Sequence, residues 1–212
     1  MSDSLTSKRV NERPVYQERS REKRDRLVKA GFRIFARDGY QGARIADIAK
    51  AAGISVGSFY HRFGDKRGFF EILIEEYTLR GQSNWEIFFA TAEPDWTIQE
   101  LCERLVAGDG RAVDRNMGLF SAYVSLGRED ESVVEPFRRM DLTGARLFLE
   151  TLQKRKDKGF EKLDLETVHF ALSSIGKTLA FSAIVKGSTY KPQDPHSIRE
   201  LALMLQRYLQ LS

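Results

Sequence analysis

The chain's most reactive side chains, His61, His169, His196 and the single cysteine Cys102, lie far apart in the sequence. Their spacing is not that of a metal-ligand cluster, and neither a Gly-rich phosphate loop nor a Gly-x-Ser-x-Gly elbow is present. The 30 Asp and Glu residues read as solvated helix faces. These residues point to no catalytic group, no metal and no cofactor, and so away from an enzyme. The stretch that stands out is Ser55-Val56-Gly57-Ser58-Phe59-Tyr60-His61-Arg62-Phe63. Phe59 and Phe63 are four residues apart, so they share one helical face and point to a core. Val56, Gly57, Ser58, Tyr60 and His61 are left on the outer and lateral surface, with Ser55 placed to cap the helix through a backbone N–H. These side chains are short or flat, which lets a helix approach another surface closely. A glycine inside a helix costs about 1 kcal/mol against alanine, so Gly57 needs a packing or contact reason.

The elements that position this stretch are helical. Leu27, Ala30, Gly31, Ile34 and Phe35 recur at helical spacing from Arg21 to Asp38, and Gly39 is the stop. Ile45, Ile48, Ala49 and Ala52 mark a short second helix ended by Gly53. Gly64-Asp65 closes the third helix and restarts a fourth that runs to about Phe89. Two short helices joined by a Gly-containing turn have the shape of a helix-turn-helix. At this point a DNA reader and a plain pair of core helices both stand as readings. Further helices follow: one from Ile98 broken at Gly108 to Gly110, Met117 to Leu126, one starting near Pro136 and running to Lys158, Asp164 to Lys186, and Ile198 to Leu209 behind the Asp194-Pro195 cap. The expected fold is all-α, with about nine helices and no strand or repeat. The expected layout is an arm over 1–20, a helix-turn-helix domain over 21–65 and a larger domain over 66–212.

Charge divides the same way. The net of +4 over 212 residues splits into +8 for residues 1–70 (16 Lys/Arg, 8 Asp/Glu) and −4 for 71–212 (18 Lys/Arg, 22 Asp/Glu). A basic head on a mildly acidic body suits a polyanion such as nucleic acid or anionic lipid, and equally a solvated charged face. The arm carries Arg9, Arg13 and Arg19, with Arg21, Lys23, Arg24 and Arg26 just beyond. It reads as a flexible solubilising tail or as a minor-groove probe. No apolar signal-peptide core and no membrane-length apolar run is seen, and one cysteine permits no internal disulfide. Both features point to the cytoplasm.

The segment from Gly39 to Lys66 resembles the N-terminal signature of TetR-family repressors. Ile48-Ala49, Ala52 to Ser55, Gly57, Phe59-Tyr60, Phe63 and Lys66 carry the match, which extends over about 45 residues. The resemblance implies a sequence-specific repressor, bound as a homodimer to a palindromic DNA operator and released by a small-molecule effector. A TetR-like activator and a ligand-independent regulator stand as alternatives. It assigns Tyr60 and Lys66 to DNA phosphates, and Val56, Gly57, Ser58 and His61 to base edges or the adjacent backbone. Where the family often has a hydroxyl opening the second helix, this chain has Ala43-Arg44. The cap is thereby lost or moved to Gly42, and Arg44 is a candidate to replace the phosphate contact with a charge-assisted one. Arg67 stands where the family is often acidic, adding charge beside the DNA.

The resemblance also implies sensing and dimerisation in the larger domain. The aromatics and neighbours Trp85, Phe88, Phe89, Cys102, Phe120, Tyr123, Phe137, Phe148 and His169 are the candidate pocket lining. They suit an apolar or aromatic ligand with few polar anchors. Aromatics at helical spacing are more often core than a ligand cage, and Cys102 reads first as a small buried hydrophobe and His169 as a hydrogen-bonded core histidine. Phe170, Ser174, Lys177 and Phe181 on the eighth helix, with Ile198, Leu201, Leu205 and Tyr208 on the ninth, are the candidate dimer stripe. The fourth helix, starting at Lys66 and reaching the aromatic region, is the expected link between sensor and reader.

Overall fold

The computed structural model of the chain describes residues 4–92, 95–127, 130–155 and 160–211, with side chains from residue 21 on and Glu161 excepted. The described residues form nine α-helices and one 3₁₀ turn, with no strand. The order is α1 (Ser4–Gly42), α2 (Ile45–Ala52), α3 (Val56–Phe63), α4 (Lys66–Ala90), α5 (Ile98–Arg115), α6 (Met117–Leu126), α7 (Glu131–Lys154), the 3₁₀ turn Phe160–Lys162, α8 (Leu165–Ile184) and α9 (Pro195–Tyr208). The chain divides into two compact units, one through Leu73 and one from Ile74 on.

In the first unit, α1 begins at Ser4, where the sequence suggests a flexible arm to residue 20. Arg, Glu, Lys and Gln are good helix formers, and a helix polar all round has no apolar stripe to betray it. The arm's basic side chains Arg9, Arg13 and Arg19 lie outside the described residues. Gly39 interrupts α1 with φ 67° and ψ 179°, a backbone that costs glycine little and other residues much. The core of this unit is aromatic. Phe35, Phe59, Phe69 and Phe70 are fully buried, and the Phe69 ring meets Phe59 at 4.9 Å and Phe63 at 4.7 Å, both edge-on. That geometry adds about 0.5–1.5 kcal/mol per pair beyond burial, and it fixes α3 by the two residues that its spacing assigned to the core.

The second unit departs from the sequence reading in three places. α5 runs unbroken through Gly108 and Gly110 to Arg115. A Cβ at Gly110 would collide with the Pro192 carbonyl, so this glycine permits a close approach rather than a break. Pro136 lies inside α7, which starts five residues earlier at Glu131 behind the Asp130 cap. α7 ends at Lys154, short of Lys158, and residues 156–159 lie outside the described residues. α8 and α9 are capped by Asp164 and Asp194, whose carboxylates accept from Thr167 N and Ser197 N.

Candidate nucleic-acid interface and ligand cavity

The N-terminal half of α3 is held by its cap. Ser55 Oγ accepts from Ser58 N at 3.1 Å and lies 2.9 Å from Ser58 Oγ. With Phe59 and Phe63 buried, Ser55, Val56, Gly57, Ser58, Tyr60 and His61 are all exposed. A Cβ at Gly57 would meet nothing within 4 Å, and its φ is not in the left-handed region. The fold of this chain therefore gives no reason for glycine there. Val56 and Tyr60 are apolar or amphipathic side chains left 41% and 48% exposed, one turn apart on the same outer face.

The flanking basic groups are less free than their sequence positions imply. Arg44 is itself the N-cap position of α2 and makes no side-chain cap bond, so of the two expectations the cap is lost rather than moved to Gly42. Its Nε instead donates to Asp47 at 2.8 Å, one turn on, from a side chain that stays 79% exposed. Arg67 is paired with Glu71 at 2.9 Å rather than adding an uncompensated charge. Lys66 Nζ donates to the Gln41 carbonyl at 3.2 Å and lies 4.8 Å from the centre of the Tyr40 ring. Partial desolvation holds its pKa below the usual lysine value. The start of α4 is already capped, because Asp65 Oδ1 accepts from Gly68 N at 2.7 Å. Lys66 therefore presents a fixed ammonium, and the helix N-terminus beside it is not an open anion site.

The second unit contains a cavity of two lobes. The inner lobe, of about 90 Å³, is lined by Tyr77, Trp85, Phe120, Tyr123, Phe137 and Met140, with Asp109, Asp141, Ser173 and Lys177 among its polar groups. The outer lobe, of about 270 Å³, shares Tyr77, Trp85, Asp109, Ala112 and Met140, and adds Asn84, Phe88, Arg104, Arg111 and Arg115. The inner wall is continuous: Tyr77 meets Phe120 at 5.6 Å and Phe137 at 5.7 Å, and Tyr123 meets Phe137 at 4.4 Å. Of the residues expected as lining, Trp85, Phe88, Phe120, Tyr123 and Phe137 lie on one or both of these lobes. Cys102 and Phe148 are corrected: both are fully buried in the core and line neither lobe. Burial also pushes the Cys102 thiol up to about 12. Phe89 is likewise corrected: it stacks on Trp85 at 5.9 Å and lines neither lobe. His169 lines neither lobe, and its buried Nε2 has no hydrogen-bond partner among the described residues, so it is not the satisfied core histidine that the sequence suggested.

Two carboxylates were missed because acids were assigned to solvated faces. Asp109 keeps some accessible surface, but that surface faces the cavity, and burial, with Asp141 adding to it, pushes its pKa up to about 8. Burial raises Asp141 to about 6, against the pull of Lys177 and a hydrogen bond from Ser173. A signal for both exists in the sequence. Asp109 lies four residues after Leu105 and four before Val113, and Asp141 lies likewise between Phe137 and Ala145, all four of these flanking residues being buried. An acid on an apolar stripe is a buried acid.

The expected dimer stripe splits. Phe170, Phe181 and Tyr208 are 59%, 68% and 53% exposed, and Phe170 lies against Tyr208 at 5.9 Å. Met204, on α9 at 62%, is a further exposed apolar side chain that the expected stripe did not include. Leu205 is corrected to the chain's own core at 1% exposure. Ser174, Ile198 and Leu201 are half-buried, and Lys177 is exposed with part of its surface on the inner lobe. Among the described residues no helix is long and apolar enough to cross a membrane, and no cluster of His, Cys, Asp or Glu is placed to hold a metal.

Residues 27–73 match the family described as bacterial regulatory proteins, tetR family. The HTH-type transcriptional repressor AcnR of Corynebacterium glutamicum is 37% identical over 57 residues, covering 27% of this chain and 30% of that protein. The repressor NicS of Pseudomonas putida is 29% identical over 79 residues, 37% of each chain. The matches thus span about a third of these relatives' length. A tetR-family transcriptional regulator from Streptomyces coelicolor superposes with a TM-score of 0.71 at 18% identity, covering 89% of this chain and 80% of that one. The fatty acid degradation regulator FadR from Bacillus halodurans gives 0.64 at 19%, covering 85% and 96%.

Proposed function

We propose that this chain, whose residues 27–73 match the tetR family of bacterial regulatory proteins, is a sequence-specific, DNA-binding transcription regulator. It acts as a cytoplasmic homodimeric repressor on a palindromic operator and is released by a small-molecule effector. One observation carries the DNA-binding part: the capped N-terminal face of α3 is exposed from Ser55 to His61, and its glycine at position 57 meets nothing in its own chain. A helix presented this way fits the major groove, where N-terminal residues of the second helix reach base edges. Tyr60 and Lys66 are assigned to phosphates, and Val56, Gly57, Ser58 and His61 to the groove. Arg44 joins them by exchanging Asp47 for a phosphate.

Dimerisation is supported by the exposed apolar side chains Phe170, Phe181, Met204 and Tyr208 on α8 and α9, a concentration that favours burial against a second copy. Effector control is supported by the cavity and by α4, the helix that carries both Lys66 and the cavity residues Tyr77 and Trp85. The test is a binding assay on duplexes selected from a random pool. The expected outcome is a preferred palindrome, bound with an affinity that falls by orders of magnitude between about 50 and 200 mM salt. Binding that ignores both sequence and salt contradicts the proposal. Phe181→Glu is expected to turn the dimer into a monomer by light scattering, and a variant that remains dimeric removes α8 from the interface.

A further inference from the structure

The exposed dimer face and the α3 surface are absorbed by the reading above, but the charge layout of the cavity is not. Asp109 projects from α5 into the space shared by both lobes. Among the described residues it has neither a hydrogen bond nor an ion pair. The groups facing it are Tyr77 from α4, Tyr123 from α6, Asp141 from α7, Lys177 from α8, and Arg104, Arg111 and Arg115 from its own helix. Lys177 and Ser173 already serve Asp141. The three arginines lie at the outer lobe with exposed side chains, and Arg104 sits over the Trp96 ring at 4.4 Å. Their charges are in water and screened. The inner account is therefore two carboxylates against one ammonium, in walls made of Tyr77, Trp85, Phe120, Tyr123 and Phe137. An aromatic wall attracts cations through the ring faces, and a buried carboxyl without a partner costs free energy until one arrives.

We propose that the cavity binds an organic monocation, an apolar or aromatic body bearing one protonated amine, and that Asp109 is the residue that pairs with the amine. This deepens the effector reading by naming the ligand's charge. In the empty site Asp109 is mostly protonated at neutral pH, in keeping with its raised pKa. When the ammonium enters, the carboxyl O–H loses its proton to the solvent, and the carboxylate accepts a charge-assisted hydrogen bond from the amine. No other species is consumed. Binding then releases close to one proton, and affinity rises nearly tenfold per pH unit below the Asp109 pKa of about 8. Asp141, already offset by Lys177, contributes field but no proton of its own at neutral pH.

The experiment is calorimetric titration of the full chain, without DNA, with benzylamine, 2-phenylethylamine and tryptamine, and with phenylacetate and 2-phenylethanol as anionic and neutral counterparts. The amines are expected to bind in preference, more tightly at pH about 8 than at about 6, with an enthalpy that varies with buffer ionisation as one proton is released. Asp109→Asn, close in shape to the protonated side chain, is expected to melt like the parent at pH about 6, where Asp109 is protonated. It should abolish the proton release and weaken the amines tenfold or more, while leaving 2-phenylethanol unchanged. Preferred binding of phenylacetate, which the arginines would hold, overturns the proposal. So does amine affinity flat with pH in the parent chain, or no binding by any of the five. The DNA assay is separate. A chain that binds amines but no DNA refutes the regulator reading alone, and one that binds DNA but no amine refutes only this inference.

Discussion

Between Ser55 and His61 every residue except Phe59 is exposed, and all of them lie on two turns of one helix. The cavity instead draws Tyr77, Asp109, Tyr123, Asp141 and Ser173 from five different helices. The first surface is made by subtraction: two phenylalanines four apart anchor the helix, and what they do not use faces out. The second is made by convergence, and no stretch of sequence contains it. A change on the exposed face of α3 is thus expected to separate function from folding, while truncating an aromatic of the cavity wall moves both.

Phe59→Ala sets the upper end of that contrast. Phe59 is fully buried and its ring meets Phe63 and Phe69 at 5.1 and 4.9 Å, so truncation is expected to cost about 3–5 kcal/mol. Denaturant unfolding of the variant, with DNA binding lost in step, is the check. A stable variant would mean that α3 is not held by this cluster.

A smaller, pH-dependent effect belongs to the cavity. Asp109 binds its proton more tightly in the folded chain, at about 8, than in the unfolded chain, at about 4. The folded state thus holds more protons across that window, and stability falls as pH rises through it, levelling off above about 8. Asp109→Asn is expected to flatten this slope and to be the more stable protein at high pH. Melting curves from acid to alkaline pH check it, and equal slopes for parent and variant would place Asp109 in water.

Ser55→Ala removes the cap of α3 and is expected to cost about 1 kcal/mol. The loss should appear in the melting temperature, with DNA affinity lowered and sequence preference kept. Lys66→Ala is expected to change stability least. It should lower affinity for all sequences alike and reduce the salt slope by about 1. A shift in sequence preference instead would move Lys66 from phosphate to base.

The same contrast explains what could be read from the chain. The helix order, the α3 anchor and the Gly39 stop follow from local periodicity and turn chemistry, so they were legible. The helix over 4–20 was not, because it has no apolar stripe, and neither was the continuity of α5, because the Pro192 backbone against Gly110 comes from 82 positions downstream. Leu205 and Phe181 look alike as stripe residues, yet one is 1% and the other 68% exposed. Periodicity marks the apolar face but not which of its residues are covered by the same chain. Asp109 and Asp141 were within reach, had their place on buried stripes been weighed above their charge.

Gly57→Leu tests the central claim most directly. Nothing in the chain opposes a side chain there, and removing a helical glycine is worth up to about 1 kcal/mol. The variant is therefore expected to melt at or above the parent temperature while its affinity for the selected operator falls tenfold or more. Unchanged operator affinity in a folded Gly57→Leu protein would contradict the assignment of this face of α3 to DNA.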